Sequence, residues 1–194
     1  MTPFNVDSAI GYTWGALALV WLAGVAFTKR TVRTQPPGTR LFQLAVAALG
    51  FLLLSRHCRD WFPYEWLFVR FAPHTAAIAD AALLLTVVGC GFAIWARLTL
   101  GRNWSGRVTV KADHELVTTG PYAVARHPIY TGLLLALVGT ALAVGQWRGI
   151  VAVIVILMAF VLKMAQEEKM MMQTFPAEYP QSRQRVKALI PGIF

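Results

Sequence analysis

The stretch YTGLLLALVGTALAVGQWRGIVAVIVILMAFVL, residues 130–162, indicates how this chain folds. It carries no charge except Arg148. As one helix it would be about 50 Å long, whereas the hydrocarbon core of a bilayer is about 30 Å thick. The polar step Gln146-Trp147-Arg148 divides it into two apolar halves. We therefore expect a hairpin of two membrane spans, the fourth and fifth of the chain.

Three further apolar blocks precede this hairpin. The first, about Ser8 to Thr28, is uncharged and long enough as a helix to cross the hydrocarbon core. The second, Leu41 to Ser55, is shorter, and the third, Thr75 to Ala96, carries one acid. Thr31 to Arg40 contains two consecutive prolines and is predicted to be a loop. The predicted fold class is all-α: a polytopic transmembrane helical bundle of five spans that ends in a helical hairpin.

The composition is typical of a membrane protein. Of the 194 residues, 57% are hydrophobic and only 14% are charged, compared with about 25% charged in soluble proteins. The net charge of +9 would suit a nucleic-acid partner, but the basic residues flank apolar runs and form no single patch. We therefore expect no nucleic acid. The cysteines Cys58 and Cys90 are far apart, so they provide neither a CxxC metal motif nor a disulfide framework.

The basic residues also predict the orientation of the chain. Fourteen of the 18 Lys and Arg residues lie on one side of the five predicted spans. Because cytoplasmic loops are enriched in Lys and Arg, we expect the N-terminus outside, and the C-terminus and the long loop at 97–127 in the cytoplasm. The chain is accordingly divided into an N-terminal three-span region, 1–96, and a functional region of loop, hairpin and tail, 97–194. The four basic residues on the other side are Arg56, Arg59, Arg70 and Arg148.

A polar segment precedes the fourth span. Gly120-Pro121 and His127-Pro128 predict turns or extended backbone, because the residue before a proline is pushed out of the helical region. Extended backbone at a membrane surface needs partners for its N–H and C=O groups, and a ligand is one such partner. An interfacial belt of Tyr, Arg and His side chains is the other interpretation.

A second polar segment, KMAQEEK at 163–169, closes the fifth span. Lys163 and Glu167 are four residues apart, so they share one face if the helix continues. A solvated ion pair is one interpretation. However, the acids follow directly on an apolar span, where unpaired carboxylates are costly, so the segment is also a candidate site.

Both segments resemble the isoprenylcysteine carboxyl methyltransferases and their bacterial and archaeal relatives, which are grouped with phospholipid N-methyltransferases. The resemblance lies in the phrase Leu-Val-Thr-x-Gly-x-Tyr-x-x-x-Arg-His-Pro-x-Tyr-x-Gly, complete from Leu116 to Gly132. Glu167-Glu168, Glu178-Tyr179 and Ile190-Pro191 extend it. It covers the C-terminal half of the chain, and the first three spans match only as hydrophobic segments.

The resemblance implies an integral membrane enzyme that uses S-adenosyl-L-methionine, with 97–194 as its methyltransferase core. The expected acceptor is lipidic or a small amphipathic molecule, and the expected reaction is isoprenylcysteine-type carboxyl O-methylation by direct displacement, without a metal. Phospholipid N-methylation and thiol S-methylation stay open. The residues that the resemblance implies as cofactor contacts are Arg107, His114, Glu115, Leu116, Val117, Tyr122, His127, Pro128, Ile129, Tyr130 and Glu167.

The resemblance further implies Lys163 and Glu167 as the catalytic pair. Lys163 stands where the family normally has an arginine that touches the substrate, and lysine offers a point charge in place of a bidentate fork. We expect Lys163 to hold an anionic group of the substrate and Glu167 to anchor the polar end of the cofactor. Two other classes stay open: a sterol-reductase-like enzyme that uses NADPH, and a membrane scaffold that binds lipid headgroups.

Overall fold

The computed structural model of the protein describes residues 5–25, 31–34, 37–55, 57–104, 109–111 and 116–190. Within these residues the chain is helical apart from one pair of short strands and the connecting turns, as the predicted fold class requires. The helices are α1 (Val6–Val25), α2 (Pro37–Leu54), α3 (Cys58–Trp61), α4 (Ala76–Leu100), α5 (Pro128–Val144), α6 (Trp147–Thr174) and α7 (Glu178–Arg185). The strands are β1 (Thr31–Thr34) and β2 (Thr109–Lys111).

Three of the described helices are long and apolar enough to cross a membrane, judged by length and composition. They comprise Val6–Gly24, Ala76–Asn103 and Trp147–Thr174. The second and fourth predicted spans correspond to shorter apolar helices, Arg40–Leu54 and Pro128–Val144. The total of five spans therefore stays a prediction.

The predicted hairpin is present, and it turns at the predicted polar step. Gly145 ends α5 with a φ of 62°, a left-handed conformation that favours glycine, and its N–H donates to the Ala141 carbonyl over 2.9 Å. Gln146 is extended, and α6 begins at the next residue, Trp147. The break is thus two residues long, because Trp147 and Arg148 already belong to α6.

Two of the basic residues predicted for the less basic side lie at this turn. Arg70 forms an isolated antiparallel bridge with Gln146. Nη1 of Arg148 donates to the carbonyls of Leu53 and Ser55 at the end of α2, over 2.7 and 2.8 Å. The end of α2 and the turn between α5 and α6 therefore lie at the same end of the bundle.

Helix α5 packs most extensively against α4. A Cβ atom added to Gly132 of α5 would lie 2.6 Å from the backbone nitrogen of Ala93 and 2.6 Å from the carbonyl oxygen of Gly89, both in α4. Gly139 meets Thr86 of α4 just as closely. The two backbones are in direct contact, which is how small residues pack membrane helices.

A buried arginine joins α1 to α4 at the opposite end of the bundle. Nη2 of Arg97 donates to the Gly24 carbonyl over 2.8 Å, and its Nη1 donates to the Gly101 carbonyl over 2.9 Å. The guanidinium also lies 4.2 Å from the ring centroid of Trp104. Both carbonyls are at helix C-termini, where no intrahelical donor is available and a cation is favourable.

The loop predicted for 31–40 is wrong in part. Thr31–Thr34 pairs with Thr109–Lys111 as a two-stranded antiparallel sheet, and α2 begins at Pro37 rather than near Leu41. The β-branched residues in both segments favour strands. Proline suits the first turn of a helix, where its missing N–H has no intrahelical partner in any case. Pro37 is thus the first residue of α2, although the sequence placed it in a loop before that helix.

Candidate functional site

The site is built around the N-terminus of α5. His127 has non-helical backbone angles, φ −122° and ψ 57°, and α5 begins at Pro128, which agrees with the predicted turn. The backbone N–H groups of Arg126 and His127 donate to the carbonyls of Lys187 and Ala188, over 2.8 and 2.9 Å. The tail after α7 therefore pairs with the segment whose backbone was expected to need a partner.

One turn further along, Tyr130 joins α5 to α6. Its hydroxyl donates to Oε1 of Glu167 over 2.7 Å. Oε2 of the same carboxylate lies 3.5 Å from Nδ1 of His127. The side chains of His127 and Tyr130 are only 8% exposed. Three residues predicted to bind the cofactor thus contact one another directly.

Lys163 lies on the α6 side of the same group. Its Nζ atom is 5.6 Å from the ring centroid of Tyr130. The Tyr130 ring also packs on Phe160, with centroids 4.8 Å apart. Because α6 runs unbroken to Thr174, Lys163 and Glu167 occupy one helix face, as their spacing predicted.

A second carboxylate, Glu168, completes the group. Its Oε1 atom accepts hydrogen bonds from Nε and Nη2 of Arg126, over 3.0 and 2.7 Å, and lies 3.4 Å from Nε2 of His127. Its Oε2 atom is 3.5 Å from Nε of Arg183. The polar cluster, as we name it, consists of Arg126, His127, Tyr130, Glu167 and Glu168.

The cluster changes the proton affinity of its histidine. Burial lowers the pKa of His127, but hydrogen bonds to Glu167 and Glu168, together with their negative charges, outweigh burial and raise it above its usual 6.5. The cluster thus favours an imidazolium, which has a donor for each carboxylate.

Two tyrosines beside the cluster keep their protons. Burial, followed by the charge of Glu167, raises the pKa of Tyr122 well above its usual value of 10. Burial, followed by the charge of Glu168, raises the pKa of Tyr179 to about 12. Both hydroxyls are therefore neutral at physiological pH and can donate hydrogen bonds.

The remaining predicted site residues differ in how far the structure describes them. Tyr122 is half-buried in the short 3-10 turn Gly120–Ala123. Leu116 and Val117 are half-buried in irregular backbone, Pro128 is buried, and Ile129 is half-buried in the first turn of α5. Arg107, His114 and Glu115 lie outside the described residues. The cofactor roles of all these residues stay predictions.

Sequence reasoning gave no site role to Arg126, Glu168 or the tail. Arg126 lies inside the recognised phrase, and Glu168 directly follows Glu167, so the phrase itself contained the signal. In the tail the resemblance included Glu178-Tyr179 and Ile190-Pro191, but it did not indicate which residues they contact. Thr131 Oγ1 donates to the Leu189 carbonyl over 2.8 Å, and the buried Leu189 side chain packs with Tyr130. These contacts join positions almost sixty residues apart.

The part of the chain that resembles known proteins includes the segments that form the polar cluster. Residues 82–173 match the sequence profile of the isoprenylcysteine carboxyl methyltransferase (ICMT) family. The resemblance predicted from the sequence is confirmed. The matched residues contain all of α5 and nearly all of α6. They also contain Arg126 and His127 before α5, so the whole polar cluster and Lys163 lie within the match.

Curated relatives support the same family. The chain is 34% identical over 123 residues to "Protein-S-isoprenylcysteine O-methyltransferase" of Saccharomyces cerevisiae, covering 58% of this chain and 52% of that protein. It is 29% identical over 119 residues to "Protein-S-isoprenylcysteine O-methyltransferase B" of Arabidopsis thaliana, covering 60% of each. The chain thus spans between half and two thirds of the length of these relatives.

A solved structure supports the fold. The chain is similar to the "eukaryotic intramembrane Ras methyltransferase ICMT", with a TM-score of 0.55 and 27% sequence identity. The match covers 78% of this chain and 53% of that one. Taken with the three helices of membrane-spanning length and composition, the ICMT match identifies the chain as an integral membrane protein.

Proposed function

We propose that the chain is a membrane-embedded methyltransferase that uses S-adenosyl-L-methionine, and that its main reaction is carboxyl O-methylation of an S-isoprenylcysteine. The observation that carries this proposal is the polar cluster, which brings the Arg-His-Pro-x-Tyr phrase and the glutamates of α6 together within the residues that match the ICMT family. Phospholipid N-methylation and thiol S-methylation stay as alternatives for the acceptor.

The chemistry of the site fits the proposed cofactor. S-adenosylmethionine supplies a methyl group on a sulfonium cation when it is bound. The buried ring of Tyr130 and the half-buried ring of Phe160, with the neutral Tyr122 nearby, offer aromatic faces that attract cations. Glu167 offers a carboxylate to the ammonium group at the polar end of the cofactor. The proposed contacts from the same segments are Leu116, Val117, His127, Pro128 and Ile129, and from outside the described residues Arg107, His114 and Glu115.

Lys163 is the proposed binding residue for the acceptor. Its ammonium group lies on the same helix face as Glu167 and above the Tyr130 ring. From there it can attract the carboxylate of an isoprenylcysteine while its apolar stem lies along the span. The burial of His127 and Tyr130 keeps water away from the reacting groups, and methyl transfer then depends mainly on holding both partners in line.

The proposed arrangement in the membrane follows from the charges. The N-terminus is outside and the C-terminus is cytoplasmic, as the excess of Lys and Arg on one side predicts. The polar cluster then opens toward the cytoplasm, from which a soluble cofactor arrives, and a lipidic acceptor enters between helices from the bilayer. Residues 97–194 form the methyltransferase core, and 1–96 form an N-terminal membrane region.

The first experiment is calorimetric titration of the detergent-purified protein with S-adenosylhomocysteine and, separately, with NADPH. We expect S-adenosylhomocysteine to bind, and binding to be lost in His127→Ala and Glu167→Ala. Glu65→Ala is the matched control, because Glu65 is an exposed carboxylate outside the site. Binding of NADPH alone would favour a reductase, and binding of neither ligand would favour a scaffold.

The second experiment tests the acceptor. Transfer of a radiolabelled methyl group to N-acetyl-S-farnesylcysteine is expected, whereas the methyl ester of the same compound, which has no free carboxylate, should accept none. Lys163→Arg should retain the activity, and Lys163→Ala should weaken binding of the acceptor more than binding of S-adenosylhomocysteine. Equal labelling of a phospholipid amine in the same assay would overturn the choice of acceptor.

A further inference from the structure

Glu168 has no part in the proposed binding of cofactor or acceptor, yet it is among the most constrained side chains of the site. Its carboxylate is 16% exposed and lies beside Arg126, whose side chain is 10% exposed. Both contacts from Arg126 reach the same oxygen, Oε1. Arg126 is itself held, because its Nη1 donates to the carbonyls of Val186 and Arg183. The position of Glu168 Oε1 is therefore fixed by a cation that the tail anchors.

A continuous series of contacts runs from this oxygen to Glu167, one member of the proposed catalytic pair. Glu168 Oε1 faces Nε2 of His127 at 3.4 Å. On the other side of the ring, Nδ1 of His127 faces Glu167 Oε2 at 3.5 Å. The second oxygen of Glu167 accepts from the Tyr130 hydroxyl. Neutral imidazole has one donor nitrogen, so only the imidazolium can donate to both carboxylates at once.

We propose that Glu168 is a positioning residue that holds His127 as an imidazolium, and that this imidazolium orients the Glu167 carboxylate toward the cofactor. The proposal rests on the proposed function, since it assigns a task to a residue next to that site. Glu168 touches neither cofactor nor acceptor; it acts through His127. Activity then requires a protonated His127, and it is lost as pH rises through the pKa of that group.

The charged and titratable groups around His127 determine the sign of this effect. Glu168 and Glu167 both stabilise the cation, and removing the charge of Glu168 leaves only the carboxylate of Glu167 to oppose the effect of burial. The pKa of His127 therefore falls when Glu168 becomes glutamine, and the alkaline limb of the activity profile moves to lower pH. The groups that face the cluster are Glu167, Glu168 and Lys163 from α6, Tyr130 from α5, Tyr122 from the 3-10 turn, Arg126 from the same loop, and Tyr179 and Arg183 from α7.

The backbone of His127 is held independently of Glu168. Its N–H donates to the Ala188 carbonyl, and the neighbouring N–H of Arg126 donates to the Lys187 carbonyl. Thr131 Oγ1 adds a bond to Leu189. The isosteric Glu168→Gln change therefore removes the negative charge that lies beside the His127 ring, while the backbone contacts of His127 to the tail persist.

The test compares pH profiles of methyl transfer for the wild type, Glu168→Gln and Glu168→Asp. We expect kcat/KM for S-adenosylmethionine in Glu168→Gln to fall about tenfold or more at alkaline pH, the order of one charge-assisted hydrogen bond, and clearly less at acidic pH. Glu168→Asp keeps the charge and should restore part of the alkaline activity. Glu65→Gln, which neutralises an exposed carboxylate outside the site, should match the wild type.

A readout that does not depend on activity separates this proposal from the proposed function. In protein labelled with ¹⁵N-histidine, the imidazole resonances of His127, assigned by their loss in His127→Asn, should titrate at lower pH in Glu168→Gln than in the wild type. If the wild type binds no S-adenosylhomocysteine, the proposed function fails while this titration still tests Glu168. An unchanged titration of His127 in Glu168→Gln, or a loss of kcat/KM that is equal at every pH, would overturn the proposal.

Discussion

Helix α5 takes part in two interfaces of opposite character. Its middle packs on α4 through Gly132 and Gly139, where the backbones touch and small residues predominate. Its first turn belongs to the polar cluster, in which contact is made by charged side chains reaching over from α6 and from the loop before α5. Close backbone contact fixes where α5 lies, and this leaves its N-terminal end to present Tyr130 to the glutamates of α6. The difference teaches that one part of α5 determines where the helix lies against α4, and another part supplies its side chain to the polar cluster.

The largest effect is expected in the polar cluster. Arg126→Ala leaves the Glu168 carboxylate, which is only 16% exposed, without its main cation. Removing one partner of a fully buried pair destabilises a protein by about 3–5 kcal/mol, and we expect a loss near the lower end because Arg183 and His127 stay beside the carboxylate. The free energy of unfolding in detergent, measured by denaturant titration, checks this. The control is Arg59→Ala, which removes an exposed pair with Glu65 whose side chains are 59% and 82% exposed, and it should cost about 1 kcal/mol or less. Equal losses in the two variants would show that burial does not distinguish these pairs.

The α4–α5 interface should respond to added volume. Gly132→Ala forces a methyl group against backbone atoms of Ala93 and Gly89 that cannot rotate away, and overpacking of this kind costs about 1–3 kcal/mol. Gly91→Ala is the matched control, since Gly91 lies in α4 between Gly89 and Ala93 but a Cβ there meets nothing within 4 Å. Thermal unfolding in the same detergent should separate the two variants clearly. Similar midpoints for both would contradict the close approach of α4 and α5.

A smaller effect is expected from pH. The pKa of His127 is raised above 6.5 in the folded state. The protonated ring therefore stabilises the folded protein fully below about pH 6.5, and this stabilisation is lost as pH rises through the higher pKa of the folded state. Each unit of difference corresponds to about 1.4 kcal/mol. The unfolding free energy of the wild type should therefore fall across this alkaline window relative to His127→Gln. A difference between the two proteins that is constant with pH would contradict the predicted imidazolium.

The smallest effect is expected from a neutral polar contact within the apolar region. Nε1 of Trp14 in α1 donates to Thr140 Oγ1 of α5 over 3.0 Å. Trp14→Phe removes this donor and keeps an aromatic ring. Hydrogen bonds between membrane helices average about 0.6 kcal/mol, so the unfolding free energy should fall by about that amount. A loss as large as that of Arg126→Ala would remove the contrast between charged and neutral contacts.

The sequence predicted the segments of the fold better than their edges. Long apolar blocks and the polar step at Gln146 correctly placed the hairpin, because a bilayer of fixed thickness limits the length of a span. Pro37 was misread, since proline both interrupts a helix and begins one, and local pattern alone does not decide which. The pairing of β1 with β2 joins segments that are more than seventy residues apart, and no local pattern specifies such a pair.

The candidate site was predictable where its residues are close together in sequence. His127 and Tyr130 share one phrase, and Lys163 and Glu167 share one helix face, so the helical repeat brings each pair together. The place of Glu168 in the polar cluster was missed. Adjacent residues on a helix point in different directions, and only the structure shows that Glu168 points toward Arg126. The contact between Thr131 and Leu189 was missed because the two residues are far apart in the sequence.

The sequence by itself determined the membrane class, the apolar segments and the phrase that matches the ICMT family, because each depends on composition or on residues near one another in the chain. Only the tertiary structure decided that His127 lies between two carboxylates, and that the tail supplies carbonyl partners to the backbone before α5. Such contacts depend on the approach of distant segments, which is set by how closely α4 and α5 pack and where α7 returns. The charge state of His127 is therefore a property of the fold, although each residue that determines it is written in the sequence.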